Sequence, residues 1–313
     1  MTGFIKKIFN PNSPRKDEDT IPIPKDEPRP PDALDPHSVS SCEDETLIQE
    51  PALLRIDPPQ LLTVCAQSVG MQREHNEDAL FTLTANLACD HRSLPFGLYI
   101  VADGMGGHLY GEIASEIAVR TMASSILGKI SPSLLTYEAS SPSETILEIV
   151  SSAAQEAHRA IVKEAPGGGT TLTTVLILDE QLTIIHVGDS RAYLITEESI
   201  HPLTRDHSLV RRLVELGQIT EDEVVTHPQR NVLYRALGQG EPFEPDITTL
   251  PVPVAGFLLL CSDGLWGVIP EADIQRIVMS TPHLDQACQQ LVDAANAAGG
   301  PDNISAILVR LPD

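Results

Sequence analysis

Leu98-Tyr99-Ile100-Val101-Ala102-Asp103-Gly104 and Phe257-Leu258-Leu259-Leu260-Cys261-Ser262-Asp263-Gly264 each run an apolar stretch into an Asp-Gly pair. A short continuous apolar run closed by a turn pair reads as a strand buried on both faces. Such a strand delivers its carboxylate, Asp103 or Asp263, rigidly to a sheet end. The glycine lets the backbone turn away and lets its carbonyl approach a ligand. A single Asp-Gly pair is first of all a turn. Two of them, each behind a buried strand, ask for a further reason.

Working outward, strand-like runs precede the first pair at Leu61–Val69 and Ala79–Thr84. Two helical patterns follow it. One is carried by Ile113, Ile117 and Ala118, the other by Ile146, Val150, Ala153, Ala154, Ala157 and Ile161. Ser131–Ser143, rich in Ser and Pro, reads as the exposed loop between them. Thr170–Leu178, Leu182–Val187 and Arg191–Thr196 are the next strands. The Asp179-Glu180-Gln181 link is too short for a parallel crossover, so it predicts an antiparallel hairpin.

A mostly helical insert is expected next, at about 205–235. Leu209, Leu213 and Leu216 form one face before Gly217, and Thr220 with Glu223 forms a capping box. Strands return at Asp246–Leu250 and Phe257–Cys261. Helices at Glu271–Ser280 and Leu284–Ala298 precede a last strand, Asn303–Leu311. Strands in groups and helices in pairs predict an α+β fold, with antiparallel sheets packed together and helices outside.

Residues 1–60 differ from this pattern. They hold 11 of the 25 prolines among many acidic side chains. Such a segment buries too little apolar surface to offset chain entropy and reads as a disordered arm, with the folded domain at 61–313. The chain of 313 residues carries a net charge of -23. Nucleic acid and anionic membrane surfaces repel such a chain, and an anionic substrate would need local positive charge at its site. The five cysteines are odd in number, widely spaced and without a Cys-x-x-Cys. That argues against a disulfide scaffold or zinc ribbon and for a reducing, cytoplasmic setting. No apolar run is long enough to span a bilayer, and Phe4–Phe9 is too short and too charged for a signal-peptide core.

Three further acids join the Asp-Gly pairs at predicted strand ends: Asp78 after Glu77, Asp189 after Val187-Gly188, and Asp302 before the last strand. Asp302-Asn303 read alone is equally a loop before a strand. Carboxylates gathered without neighbouring cations repel one another unless hard divalent ions neutralise them. Oxygen-only ligands suit Mg²⁺ or Mn²⁺ rather than zinc. Competing motifs fail. Gly104-Met105-Gly106-Gly107 lacks the third glycine of a dinucleotide loop, and Gly167-Gly168-Gly169-Thr170 has no Gly-Lys-Ser/Thr after it. Gly188-Asp189-Ser190-Arg191-Ala192 runs on into a strand, where a hydrolase nucleophile elbow needs a helix, so Ser190 reads as structural.

Seven stretches in order carry a family resemblance over almost all of residues 63–312. They are Arg73-Glu74-His75-Asn76-Glu77-Asp78, Asp103-Gly104-Met105-Gly106-Gly107-His108, Gly169-Thr170-Thr171, Gly188-Asp189-Ser190-Arg191, Leu233-Tyr234-Arg235-Ala236-Leu237-Gly238, Ser262-Asp263-Gly264-Leu265-Trp266 and Asp302-Asn303-Ile304-Ser305. The chain resembles protein phosphatase 2C of the bacterial type, a metal-dependent protein Ser/Thr phosphatase. The resemblance implies a four-layer α-β-β-α sandwich with two central, mostly antiparallel sheets, and it makes the insert the family's flap. It implies two core Mn²⁺ or Mg²⁺ ions, with Asp103 bridging them, the Gly104 carbonyl on one, and Asp263 and Asp302 on the other. Asp189 with Asp263 would hold a third, looser ion. Glu77 and Asp78 would hold metal-bound waters, and Arg73 would grip the substrate phosphate. Phosphoserine and phosphothreonine would then be hydrolysed by direct attack of a metal-bridging water.

The chain departs from the family twice. Animal members carry a histidine, read as the general acid, where this chain has Met105. His108 is the nearest candidate acid, beside a structural reading as a helix-start histidine. Tyr234 stands where threonine is usual. The alternative function is a catalytically weak phosphatase-like module that regulates a partner or binds phosphoproteins. Loss of a bridging aspartate would mark it, and all the expected acids are present. Expected partners are phosphorylated proteins, a Ser/Thr kinase and its substrates. The chain is expected to act as a monomer. Thr20 and Thr46 lie among acids in the arm. Acidic residues before a threonine, with Ile23 or Gln49 three positions after it, resemble ligands of forkhead-associated domains, against the plainer reading of a solvated acidic tail.

Overall fold

Alternation along the buried strands sends side chains into three separate apolar layers. The computed structural model describes residues 60–89, 92–106, 109–135, 144–224, 227–240 and 243–312. The arm, His108 and residues 136–143 lie outside them.

One sheet has the order β1 (Leu62–Ser68), β11 (Ile304–Arg310), β10 (Phe257–Cys261), β7 (Arg191–Ile195), β8 (Ile200–Pro202). The other runs β2 (Asp78–Cys89), β3 (Arg92–Met105), β5 (Leu172–Leu178), β6 (Gln181–Val187), β9 (Asp246–Pro251), with the short β4 (Gly169–Thr170) beside the end of β3. Every pairing among the described strands is antiparallel. The β5–β6 hairpin closes as its length predicts, with Leu178 opposite Gln181 and Asp179 at a left-handed φ of 56°.

The strands are buried on both faces because the sheets pack on each other and on helices. Tyr99, Val101, Val175 and Ile177 meet Leu258, Leu260, Ile307 and Val309 between the sheets. The alternate residues Leu98, Ile100 and Ala102 pack against α1 (Leu109–Leu135) and α2 (Ile146–Glu164). On the opposite outer face, Leu259, Ala306 and Leu308 pack against α6 (Glu271–Ser280) and α7 (Leu284–Ala297). This is the four-layer sandwich. Each fully buried Leu or Ile in it contributes roughly 1.5–3 kcal/mol.

Two local expectations are corrected. The Ser131–Ser143 loop begins later than its composition suggests, because α1 continues through Pro132 to Leu135. Proline costs the helix a hydrogen bond, yet Ile130 and Ser133 are buried and Leu134 packs on the core, which holds the turn. The insert is less helical than its periodicity suggests. It contains α3 (Leu209–Glu215) and α4 (Glu221–Val224), and its other described residues form turns and extended segments. Its buried residue in α3 is Val210, while Leu216 is 55% exposed. Of the Thr220–Glu223 box one arm forms, Glu223 Oε2 accepting from the Thr220 backbone N–H at 2.7 Å, while the Glu223 N–H donates to the Thr220 carbonyl at 3.2 Å.

Candidate metal centre

The two sheets bring their acids together at one end, in a cleft of about 530 Å³. Asp103, Asp189, Asp263 and Asp302 line it with Arg73 and Glu77. Asp78 lies beneath. Asp78 and Asp103 are direct register partners on β2 and β3. Opposite residues on neighbouring strands project to the same face, so two carboxylates converge there.

Each acid is held by its backbone surroundings. The Asp103 N–H donates to Thr171 Oγ1 at 2.9 Å, and its carbonyl accepts from Thr170 Oγ1 and the Thr171 N–H, both at 2.9 Å. Asp78 Oδ2 accepts from Ser262 Oγ and Ser305 Oγ, both at 2.7 Å. Asp263 opens the short helix α5 (Asp263–Trp266) rather than ending its strand. Asp189 follows Gly188, and its carbonyl accepts from Trp266 Nε1 at 3.0 Å.

The glycines of the two Asp-Gly pairs are needed for close approach. A Cβ on Gly264 would stand 2.0 Å from the Asn303 carbonyl oxygen, and one on Gly104 would stand 2.3 Å from that of Gly111.

Asn303 organises the remaining loop. Its Oδ1 accepts from the Glu77 N–H at 2.8 Å, and its Nδ2 donates to the carbonyls of Val69 at 2.8 Å and His75 at 2.9 Å. The Glu77 carbonyl accepts from the Gly104 N–H at 3.1 Å and from Ser115 Oγ at 2.6 Å. Arg73 Nη2 reaches Asp302 Oδ2 at 2.6 Å at the cleft mouth, with its side chain 50% exposed. The candidate acids therefore converge, with Arg73 beside them. Sequence reasoning gave no role to Ser262, Asn303 and Ser305, although all three sit inside the quoted motifs.

The electrostatics of the cluster call for cations. Burial, then the charges of Asp263 and Asp302, pushes Asp78 up to about 7 against the help of its two serines. Burial, then Asp302, pushes Asp263 up to about 6. Asp103 is raised well above its usual range by burial and by Asp78, Asp263, Asp189 and Asp302 together. Burial and the charge of Asp263 raise Asp189 likewise. Asp103 and Asp263 still face the open cleft, so water screens part of this repulsion.

Asp78 Oδ1 and Asp263 Oδ1 are buried with no hydrogen-bond partner among the described residues. Such oxygens suit a hard cation or the water around one. Among the described residues, no three Asp, Glu, His or Cys side chains close into a ready-made cage.

The sequence model of "Protein phosphatase 2C" matches residues 64–304. This chain belongs to the protein phosphatase 2C family. It is a metal-dependent protein serine/threonine phosphatase. The serine/threonine phosphatase stp of Listeria innocua is 38% identical over 247 residues, covering 77% of this chain and 92% of its own. The solved serine/threonine phosphatase of S. agalactiae superposes with a TM-score of 0.69 at 33% identity, over 80% of this chain and 99% of its own. The catalytic domain of the phosphatase PstP, solved in complex with two manganese ions, superposes with a TM-score of 0.63 at 27% identity, over 81% and 99%. Among the described residues of this family member, no helix is long and apolar enough to cross a membrane.

Proposed function

We propose that this phosphatase removes phosphate from phosphoserine and phosphothreonine of kinase substrates, in the cleft lined by Asp103, Asp189, Asp263 and Asp302. The convergence of the raised acids on one cleft carries the reading. Asp103, the Gly104 carbonyl, Asp263 and Asp302 would hold two core cations, Asp103 contributing to both, the Gly104 carbonyl to one and Asp263 and Asp302 to the other. Asp189 with Asp263 would hold a third, weaker one. When bound, the cations activate water and neutralise charge in an in-line displacement at phosphorus.

The protein's own groups do the rest. Asp78, fixed by Ser262 and Ser305, and Glu77, fixed through its backbone by Asn303 and Ser115, orient water at the cleft floor. Arg73 presents a planar fork to the phosphate oxygens, and its position at the mouth supports that role. His108 is the proposed acid for the leaving oxygen. Mn²⁺ is favoured over Mg²⁺ by the manganese complex of the PstP relative. The oxygen donors suit either ion.

The protein acts in the cytoplasm as a monomer beside a Ser/Thr kinase. Its arm at 1–60 offers Thr20 and Thr46 for phosphorylation and docking to a forkhead-associated domain. The test of the activity is phosphate release from a phosphothreonine peptide by chelator-stripped protein, with Mn²⁺ or Mg²⁺ restored. Release should need the metal. Turnover that is unaffected by chelation would overturn the proposal.

A further inference from the structure

Asp206, His207 and Ser208 are consecutive polar residues, all buried, in the segment that leads into the flap. The middle one makes four polar contacts. The His207 N–H donates to the Gly188 carbonyl at 2.7 Å, and His207 Nδ1 accepts from the Gly188 N–H at 3.2 Å. Both backbone groups of the residue before Asp189 are thus held by one histidine. Because Nδ1 accepts, Nε2 carries the proton of the neutral ring and donates to Asp246 Oδ2 at 3.2 Å. The His207 carbonyl accepts from the Tyr234 N–H at 2.9 Å.

Those last two partners lie on the segment that leaves the flap. The other oxygen of Asp246 is bound by Arg235 Nη1 at 3.0 Å. The neck is completed by an antiparallel bridge between Ser208 and Leu233, and by the Leu209 N–H to the Val232 carbonyl at 2.7 Å. Asn231 and Leu233, on that outgoing segment, line the cleft with Asp189.

Gly188 has little room to move on its other side. Its φ is +105°, and an added Cβ would meet Thr171 Cγ2 at 2.6 Å. Thr171 in turn holds the Asp103 backbone. The Gly188 backbone, next to Asp189, is thus held between Thr171 and His207.

We infer that His207 is a positioning residue that fixes the flap neck and the Asp189 loop to each other, so that the cleft wall at Asn231 and Leu233 and the wall at Asp189 keep one register. This rests on the cleft being the phosphatase site. It assigns His207 no contact with substrate or metal. Loosening His207 should therefore harm large substrates, which would reach the Asn231 and Leu233 wall, more than small ones.

The test compares the full chain with its His207→Ala and His207→Asn variants. Asparagine keeps an acceptor near the place of Nδ1 but loses the reach to Asp246. Amide hydrogen exchange in chelator reads the clamp without any activity. In His207→Ala, exchange should rise about tenfold at Gly188 and Tyr234 with the central strands unchanged. In His207→Asn it should stay near wild type at Gly188. In saturating Mn²⁺, kcat/KM of His207→Ala for a phosphothreonine peptide should fall about tenfold further than for an aryl phosphate. Unchanged exchange at both amides, a uniform rise across the sheets, or equal losses on the two substrates would overturn the inference. If wild-type protein hydrolysed neither substrate, the phosphatase reading would fail while the exchange data still decided the clamp.

Discussion

Asp78 and Asp103 stand directly opposite one another on adjacent antiparallel strands, β2 and β3, at the point where both strands enter the cleft. Like charges in that relationship destabilise a sheet. On the proposed reading, cations, or protons in their place, relieve the repulsion. For a carboxyl whose folded pKa lies above its unfolded value, stability is present at low pH and lost as pH rises through the folded pKa. With Asp78 near 7 and Asp263 near 6, chelated protein loses this contribution between about pH 4 and 7. The melting temperature in Mn²⁺ minus that in chelator should therefore be largest near pH 8 and shrink towards pH 5. Thermal denaturation series in the two buffers measure it. A difference independent of pH would show that the acids are not what the cation relieves.

The serines beneath Asp78 should matter for stability and metal binding together. Ser262→Ala or Ser305→Ala removes one of two 2.7 Å donors to a buried oxygen. Each should cost about 1–3 kcal/mol. Because Ser262 Oγ also accepts from the Ser305 N–H at 3.0 Å, the double variant should depart from additivity. Urea denaturation of the four proteins in chelator gives the cycle. Additive losses within about 0.3 kcal/mol would mean the two serines act independently.

His186 adds a pH dependence of opposite sign. It is buried, with Thr173 Oγ1 at 2.9 Å from Nδ1 and the Arg205 carbonyl at 3.1 Å from Nε2. Burial, then the neighbouring His207, lowers it to about 4. The unfolded chain takes up its proton near 6.5, so stability falls as pH drops from about 6.5 to 4, by on the order of 3 kcal/mol. As pH falls from 7 to 4, denaturation should show the stability of His186→Asn rising relative to wild type, whichever buffer is used. Parallel slopes would contradict the assignment. The term cancels in the Mn²⁺-minus-chelator difference above.

Arg73 should act on substrate rather than on the fold. Its bridge to Asp302 is half-exposed, and such pairs contribute about 0–1 kcal/mol. Arg73→Ala should raise KM for a phosphothreonine peptide about tenfold while leaving the urea midpoint near wild type. Arg73→Lys should recover only part of the loss, because a point charge cannot match the two-pronged contact. Steady-state kinetics and denaturation of both variants decide it. An unchanged KM in Arg73→Ala would remove Arg73 from the site.

Much of this was legible in the sequence because the strands are buried on both faces and so read as unbroken apolar runs, as in Leu258-Leu259-Leu260. The acids were legible because each follows or precedes such a run. What escaped is what depends on register and on long-range contact. Nothing local says that Asp78 faces Asp103. Nothing local says that Ser262 and Ser305, 184 and 227 residues away, meet Asp78. The 3.6-residue spacing of Leu209, Leu213 and Leu216 matches α3, which ends just before Gly217, but most of the remaining insert is turns and extended segments, which periodicity does not report. Pro132 suggested a helix end because local cost was visible and the packing of Ile130 and Leu134 was not.

The central claim is that one carboxylate, Asp103, serves two cations at once. Calorimetric titration of Mn²⁺ into chelator-stripped wild type, Asp103→Asn and Asp302→Asn tests it most directly. Wild type should show two strong sites, Asp302→Asn should lose one, and Asp103→Asn should lose both while its circular dichroism stays that of wild type. Two strong sites persisting in a folded Asp103→Asn protein would contradict the claim.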